Sequence, residues 1–130
     1  MSTVQKITVG FGIIYLAVGI LGFIPGITVA GPQPGQGLLL GVFAVNTLHN
    51  IAHLVLGAIL VWGGLSANLV RPVNRALAVV FALLVVVSFV APIVEQLPLN
   101  LPDTILHLAS AGLTGYLGFM AESRAESLSA

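Results

Sequence analysis

Asn46-Thr47-Leu48-His49-Asn50-Ile51-Ala52-His53-Leu54-Val55-Leu56-Gly57-Ala58-Ile59-Leu60-Val61-Trp62-Gly63-Gly64-Leu65 is the stretch whose reading decides the fold. Beyond His53 it carries no polar side chain except the indole of Trp62. About twenty such residues, wound as an α-helix, cross the roughly 30 Å hydrocarbon core of a bilayer. The run lacks the period-2 alternation of a barrel strand, so it reads as a transmembrane helix. Its first two turns hold two asparagines and two histidines. Polar and ionisable groups at membrane depth are unfavourable unless they pair or bind something, so they mark the first place to look for function.

Three further apolar runs flank this one. The first spans 4–24 and stops at Pro25-Gly26, the third spans 74–91 and stops at Pro92, and the fourth spans 103–121 behind Pro102. Asp103 is a plausible cap for the fourth helix, and Asn46 for the second. With the second run at 46–65, four spans and short connections use the whole chain. The expected fold class is therefore all-α, a membrane-embedded four-helix bundle forming a single domain over 1–130.

Composition agrees. Hydrophobic residues make up 58% of the chain and charged residues 6%, against about 25% charge in soluble domains; mean hydropathy is +1.11. Lipid is the expected solvent and the first partner. The few basic residues form no patch that would suit nucleic acid. The absence of cysteine removes disulfides, thiolate metal sites and covalent c-type haem attachment. Segment 25–37 is rich in proline and glycine and reads as an irregular loop. Residues 38–45 either extend the second helix or form a short interfacial helix ending at Asn46; the cap signal at Asn46 favours the second.

Lys6 precedes the first run, Arg71 and Arg75 lie between the second and third, and Arg124 follows the fourth. With four spans all of them fall on one side, which the positive-inside rule makes cytoplasmic. Both termini are then inside, N-in and C-in, with Glu95 and Asp103 outside. The expected location is a bacterial cytoplasmic (inner) membrane. A cleaved signal peptide ending at Thr28-Val29-Ala30 is the competing reading of the N-terminal region. The first apolar run is longer than the 7–15 residues usual for such a core, so it is read as a retained span.

Helix faces follow from spacing. Gly12, Tyr15, Gly19, Gly22 and Gly26 form one stripe of the first run; Asn46, Asn50, His53, Gly57 and Gly64 form another; Asp103, His107, Ser110, Thr114 and Gly118 form a third. Small residues on one face let helix backbones approach closely in lipid. The third run offers valines and Ser88 alone as a polar group near its end, and reads as the most lipid-exposed helix. A faint repeat relates His53-Leu54 to His107-Leu108, placing His49 opposite Asp103, as two helical hairpins in the same orientation would.

All three histidines thus lie within a few turns of the outer ends of two helices. His49 and His53 sit roughly 5 and 10 Å below Asn46, and His107 about 6 Å below Asp103. If those helices touch, His49, His53, His107 and Asp103 can form a shell for a divalent metal, with Asn46 and Asn50 orienting it. His53 and His107 are also candidate axial ligands for a haem or a chlorophyll-type pigment. A through-going ion path lacks ionisable groups further inward. The packing explanation is that Asn and His bond across helices as polar glue, worth about 0.6 kcal/mol on average. No nucleophile elbow, phosphate loop or carboxylate pair points to catalysis. The leading expectation is a small non-enzymatic binding or accessory subunit of a larger membrane complex or homo-oligomer, with a small transporter or metal-dependent membrane enzyme as the alternative. Trp62 and Tyr116 read as interfacial anchors.

At Gly19-Ile20-Leu21-Gly22-Phe23-Ile24-Pro25, Leu39-Leu40-Gly41-Val42-Phe43-Ala44-Val45-Asn46 with His49-Asn50 and His53-Leu54, and Asp103 with Leu106-His107-Leu108, the chain resembles a bacterial family of small integral membrane proteins described only as a domain of unknown function. Thr47 stands where a proline is common in that family. The resemblance implies a four-helix fold with the Asn-His and Asp-His groups as its signature, and no established activity.

Overall fold

A computed structural model describes residues 1–121, so Arg124 lies outside the described residues. The chain is mostly helical: α1 (Thr3–Leu21), β1 (Thr28–Ala30), β2 (Gly37–Leu39), β3 (Phe43–Val45), α2 (Thr47–Gly64), α3 (Val70–Val87), α4 (Ala91–Gln96) and α5 (Leu101–Gly115), continued by a π-helical segment at Tyr116–Met120. Three helices, α1, α2 and α3, are long and apolar enough to cross a membrane. Their outward faces are apolar, with Ile13, Val55 and Leu83 exposed, as are Ile105 and Leu108 on α5.

The all-α expectation needs one correction. β1, β2 and β3 form an antiparallel sheet in that order, pairing Thr28 with Leu39 and Gly37 with both Ala30 and Val45. Residues 38–45 are therefore not an interfacial helix, and 25–37 is not wholly irregular. Leu40 and Gly41 both take positive φ, 55° and 70°, which a continuing helix cannot accommodate and which reverses the chain into β3. Phe43 and Val45 suit the strand that results.

Two boundaries also move. The third helix starts at Val70, four residues before the expected Asn74, because Pro72 sits in its first turn, where a missing N–H is harmless. It ends before Ser88, whose hydroxyl donates to the Val85 carbonyl (2.6 Å) and competes with the helical ladder. Pro92 then opens the short α4 rather than closing α3. The third helix is not the most exposed: its apolar window buries the same share of residues as that of α1.

The long helices pack chiefly as two pairs, α1 with α2 and α3 with α5 and its π-helical extension, joined by contacts of α2 with α3. Gly12 and Gly57 set the α1–α2 distance. A Cβ on Gly57 would lie 2.7 Å from the Leu16 nitrogen and 2.8 Å from the Gly12 oxygen. Tyr15, Leu60, Val73, Leu77 and Phe81 fill the centre, while Val4, Val70, Leu117 and Ala121 close the end that carries Arg71 and Arg75. The sheet lies at the opposite end, with β3 against the starts of α2 and α5.

Candidate functional site

Both helices that carry histidine begin in the same way. Asn46 caps α2, its Oδ1 accepting from the His49 backbone N–H at 2.8 Å. Asn100, and not Asp103, caps α5: its Oδ1 accepts from the Asp103 N–H (3.2 Å), while Asp103 Oδ2 accepts from the Asn100 N–H (3.3 Å). This reciprocal pair is a capping box, which places an acidic residue at the third helical position. His49 and Asp103 therefore occupy equivalent positions, and His53 and His107 follow each of them one turn later on the same face.

The packing brings these faces together. One ring nitrogen from each of His49, His53 and His107 lies within 4.8 Å of the others, and all three residues are buried. His49 Nε2 and His53 Nε2 stand 3.0 Å apart, so one donates and the other accepts. Asp103, 1% exposed, places Oδ1 4.0 Å from His49 Nε2. The Nδ1 atoms of all three histidines are buried without a hydrogen-bond partner. A cavity of about 20 Å³ opens among the imidazoles, closed by Ala52, Leu56, Leu84, Leu97 and Leu99.

The two asparagines proposed to orient the histidines stand elsewhere. Asn50 packs against Gly22 at the C-cap of α1, where an added Cβ would strike its amide. Asn46 acts through the backbone of His49, and its Nδ2 donates to the Gln96 carbonyl at 2.9 Å. Asn100 likewise donates to the Val42 carbonyl (2.8 Å). These two bonds flank the segment Leu97-Pro98-Leu99 and hold it as a roof over the histidines.

Groups not expected at the site form its walls. The Tyr15 ring stacks on His53, centroids 4.9 Å apart at 12°, and its hydroxyl pairs with Ser110 Oγ at 2.7 Å. Phe81 lies 6.1 Å from His107 at 19°. Tyr15 was legible only as a member of the glycine stripe, and nothing local marks Phe81. A separate polar cluster at the other end was also missed: Asn74 donates to Thr8 Oγ1 (2.8 Å) and to the Val70 carbonyl (2.7 Å), and Gln5 donates to the Gly64 carbonyl (3.1 Å). Ser110, Thr114 and Thr8 each donate to a carbonyl of their own helix, so these groups are satisfied locally.

The geometry separates the chemical options. A drug-sized or larger ligand needs a pocket of some 300–1,000 Å³. The cavity of about 20 Å³ cannot admit a macrocycle, so a haem or chlorophyll-type pigment on His53 or His107 does not fit. A cavity of this size is enough for one small guest.

A model of the family described as Domain of unknown function (DUF4383) matches residues 5–120. No curated protein and no solved structure matches the chain.

Proposed function

The chain belongs to the DUF4383 family, and from its own geometry we propose that it is a membrane-embedded, non-enzymatic subunit that holds one transition-metal ion on His49, His53 and His107. The observation that carries this is the convergence of three ring nitrogens within 4.8 Å, all buried, around a cavity of about 20 Å³. Imidazole suits zinc, copper, iron and nickel. Polar glue is the competing reading, and the His49–His53 bond favours it. An interhelical bond of that kind contributes about 0.6 kcal/mol, whereas each buried polar group without a partner costs roughly 1–3 kcal/mol. The bond joins His49 and His53 alone, so polar glue does not account for the burial of His107 beside them.

In this reading α5 and its π-helical extension form the fourth span, since together they run from 101 to 120, about 30 Å of helix. The four-helix bundle sits in a bacterial cytoplasmic membrane with both termini inside. Arg71 and Arg75 at the end opposite the sheet support that orientation. The histidines then lie beneath the extracytoplasmic face. A cavity filled by one guest leaves no room for a substrate beside it, which supports binding over catalysis. The apolar outer faces leave the helices free to join a larger membrane complex or further copies of the chain.

Elemental analysis of the full chain, purified in mild detergent, tests the proposal. Wild type should carry about one transition-metal ion per chain, and His49→Ala, His53→Ala and His107→Ala should each lose most of it. Equal metal content in all four proteins, with folding checked by gel filtration, would discard the site.

A further inference from the structure

Two constant spacings run through the chain. On α1 and α3, Val4 and Val70, Thr8 and Asn74, and Tyr15 and Phe81 each stand 66 residues apart. On α2 and α5 with its extension, Asn46 and Asn100, His53 and His107, and Gly64 and Gly118 keep a second, shorter spacing. It is shorter because the link between α1 and α2 holds the sheet and outruns the link between α3 and α5.

The matched residues do the same work in each half. Asn46 and Asn100 cap their helices. Thr8 and Asn74 each donate to the carbonyl four residues back, at 2.8 and 2.7 Å. Tyr15 lies on His53 as Phe81 lies on His107. A Cβ on Gly64 would meet the Val9 nitrogen, and one on Gly118 the Arg75 nitrogen; Val9 and Arg75 are again 66 residues apart.

Matched residues that touch must straddle the axis relating the two halves. Thr8 and Asn74 are bonded at 2.8 Å, the Tyr15 and Phe81 rings are 5.3 Å apart, and those of His53 and His107 are 6.1 Å apart. These contacts run from the end near Arg71 to the sheet end. A pseudo-twofold axis therefore runs along the bundle and passes between the two histidines. Repeats of this kind place binding sites at the interface between halves.

Two departures from the match lie at the site. His49 and Asp103 are counterparts, and His49 Nε2 stands 4.0 Å from Asp103 Oδ1 across the axis. Tyr15 bonds to Ser110 at 2.7 Å, whereas their counterparts, Phe81 and Leu56, are apolar. The scaffold is repeated, and the third imidazole comes from one half alone.

On the premise of the metal-site reading above, we propose that the bundle is one helical hairpin repeated twice, with the ion held on the axis by the matched pair His53 and His107. Positions 49 and 103 are two symmetry-related places for a single third ligand, filled here by His49. An imidazole at 103 would reach the same ion from the other half.

The test titrates Zn(II) into the full chain, stripped of metal and held in lipid nanodiscs, against a fluorescent chelator. Wild type should bind about one ion per chain, and His49→Ala should bind at least about tenfold more weakly. Adding Asp103→His to His49→Ala should restore affinity to within about tenfold of wild type. Adding Thr104→His instead, one residue on and turned away from the axis, should not. Binding by wild type without rescue by a folded Asp103→His variant overturns the exchange, as does equal rescue by Thr104→His. Failure of wild type to bind overturns the metal site beneath it. A second measurement needs no ion. Phe81→Tyr with Leu56→Ser recreates the Tyr15–Ser110 pair at its matched place. In denaturant unfolding, the double variant should lose less stability than the two single variants together. Additive losses overturn the repeat at the site, and this arm decides should the Asp103→His variant not fold.

Discussion

Tyr15 does two things at once. Its ring covers one face of His53, and its hydroxyl reaches Ser110 on α5. The two roles separate by substitution. Tyr15→Phe keeps the stacked ring and loses one buried hydrogen bond, while Ser110 still donates to the Leu106 carbonyl. The expected loss is about 1 kcal/mol of stability, with metal content unchanged. Tyr15→Ala removes a 2% exposed aromatic group from the centre and should cost about 3–5 kcal/mol. It also leaves the His53 ring free to turn away from the other two, so metal content should fall with stability. Denaturant unfolding in detergent, paired with elemental analysis, separates the two variants. If Tyr15→Phe lost the metal, the ring stack would not be what holds His53 in place.

At the scale of elements, helix starts govern the site and glycines govern the packing. Asn100 caps α5 and clasps the Val42 carbonyl. Asn100→Ala should therefore cost about 0.5–2 kcal/mol and loosen the roof of Leu97 and Leu99, seen as faster release of bound metal to an external chelator. An unchanged release rate would show that the roof does not control access. Glycines make opposite predictions according to their place. Gly57→Ala forces a methyl group onto the α1 backbone and should cost about 1–3 kcal/mol. Gly112→Ala meets nothing within 4 Å and should stabilise α5 by up to about 1 kcal/mol through helix propensity. Unfolding midpoints of the pair give the comparison, and equal shifts would contradict the close α1–α2 approach. Much of this was legible in the sequence, because hydrophobic run length and the Asn46 cap are local signals. The capping box was misread, since Asp103 satisfies the rules for two adjacent roles and only the backbone distinguishes them. The sheet was missed because its three-residue strands are too short to show a period. The i,i+4 spacing put His49 and His53 on one face, but their meeting with His107, and the walls made by Tyr15 and Phe81, depend on which helices touch, and no local pattern carries that.

For the whole molecule, the decisive property is which end faces which compartment. Lys6 near the start of α1, with Arg71 and Arg75 on the first turns of α3, gathers the described cations at the end opposite the sheet. There they also serve the last helix: Arg71 donates to the Ala121 carbonyl, and Arg75 Nε donates to the Gly118 carbonyl at 2.7 Å while its guanidinium lies over Phe119. Cations near a helix C-terminus complement its dipole, so Arg71 and Arg75 also stabilise the end of the last helix. The histidines lie at the sheet end, and an ion would reach them from that side. Because the chain has no cysteine, single substitutions report topology cleanly. Gln33 is exposed in the β1–β2 connection and Asn68 in the α2–α3 connection. In intact cells a membrane-impermeant maleimide should label Gln33→Cys at once, and Asn68→Cys only after permeabilisation. The opposite pattern would turn the site toward the cytoplasm and place the supply of its ion there. Labelling of both in intact cells would mean that α2 does not cross the membrane, and the bilayer would no longer explain why these imidazoles lie buried beneath a polar cap.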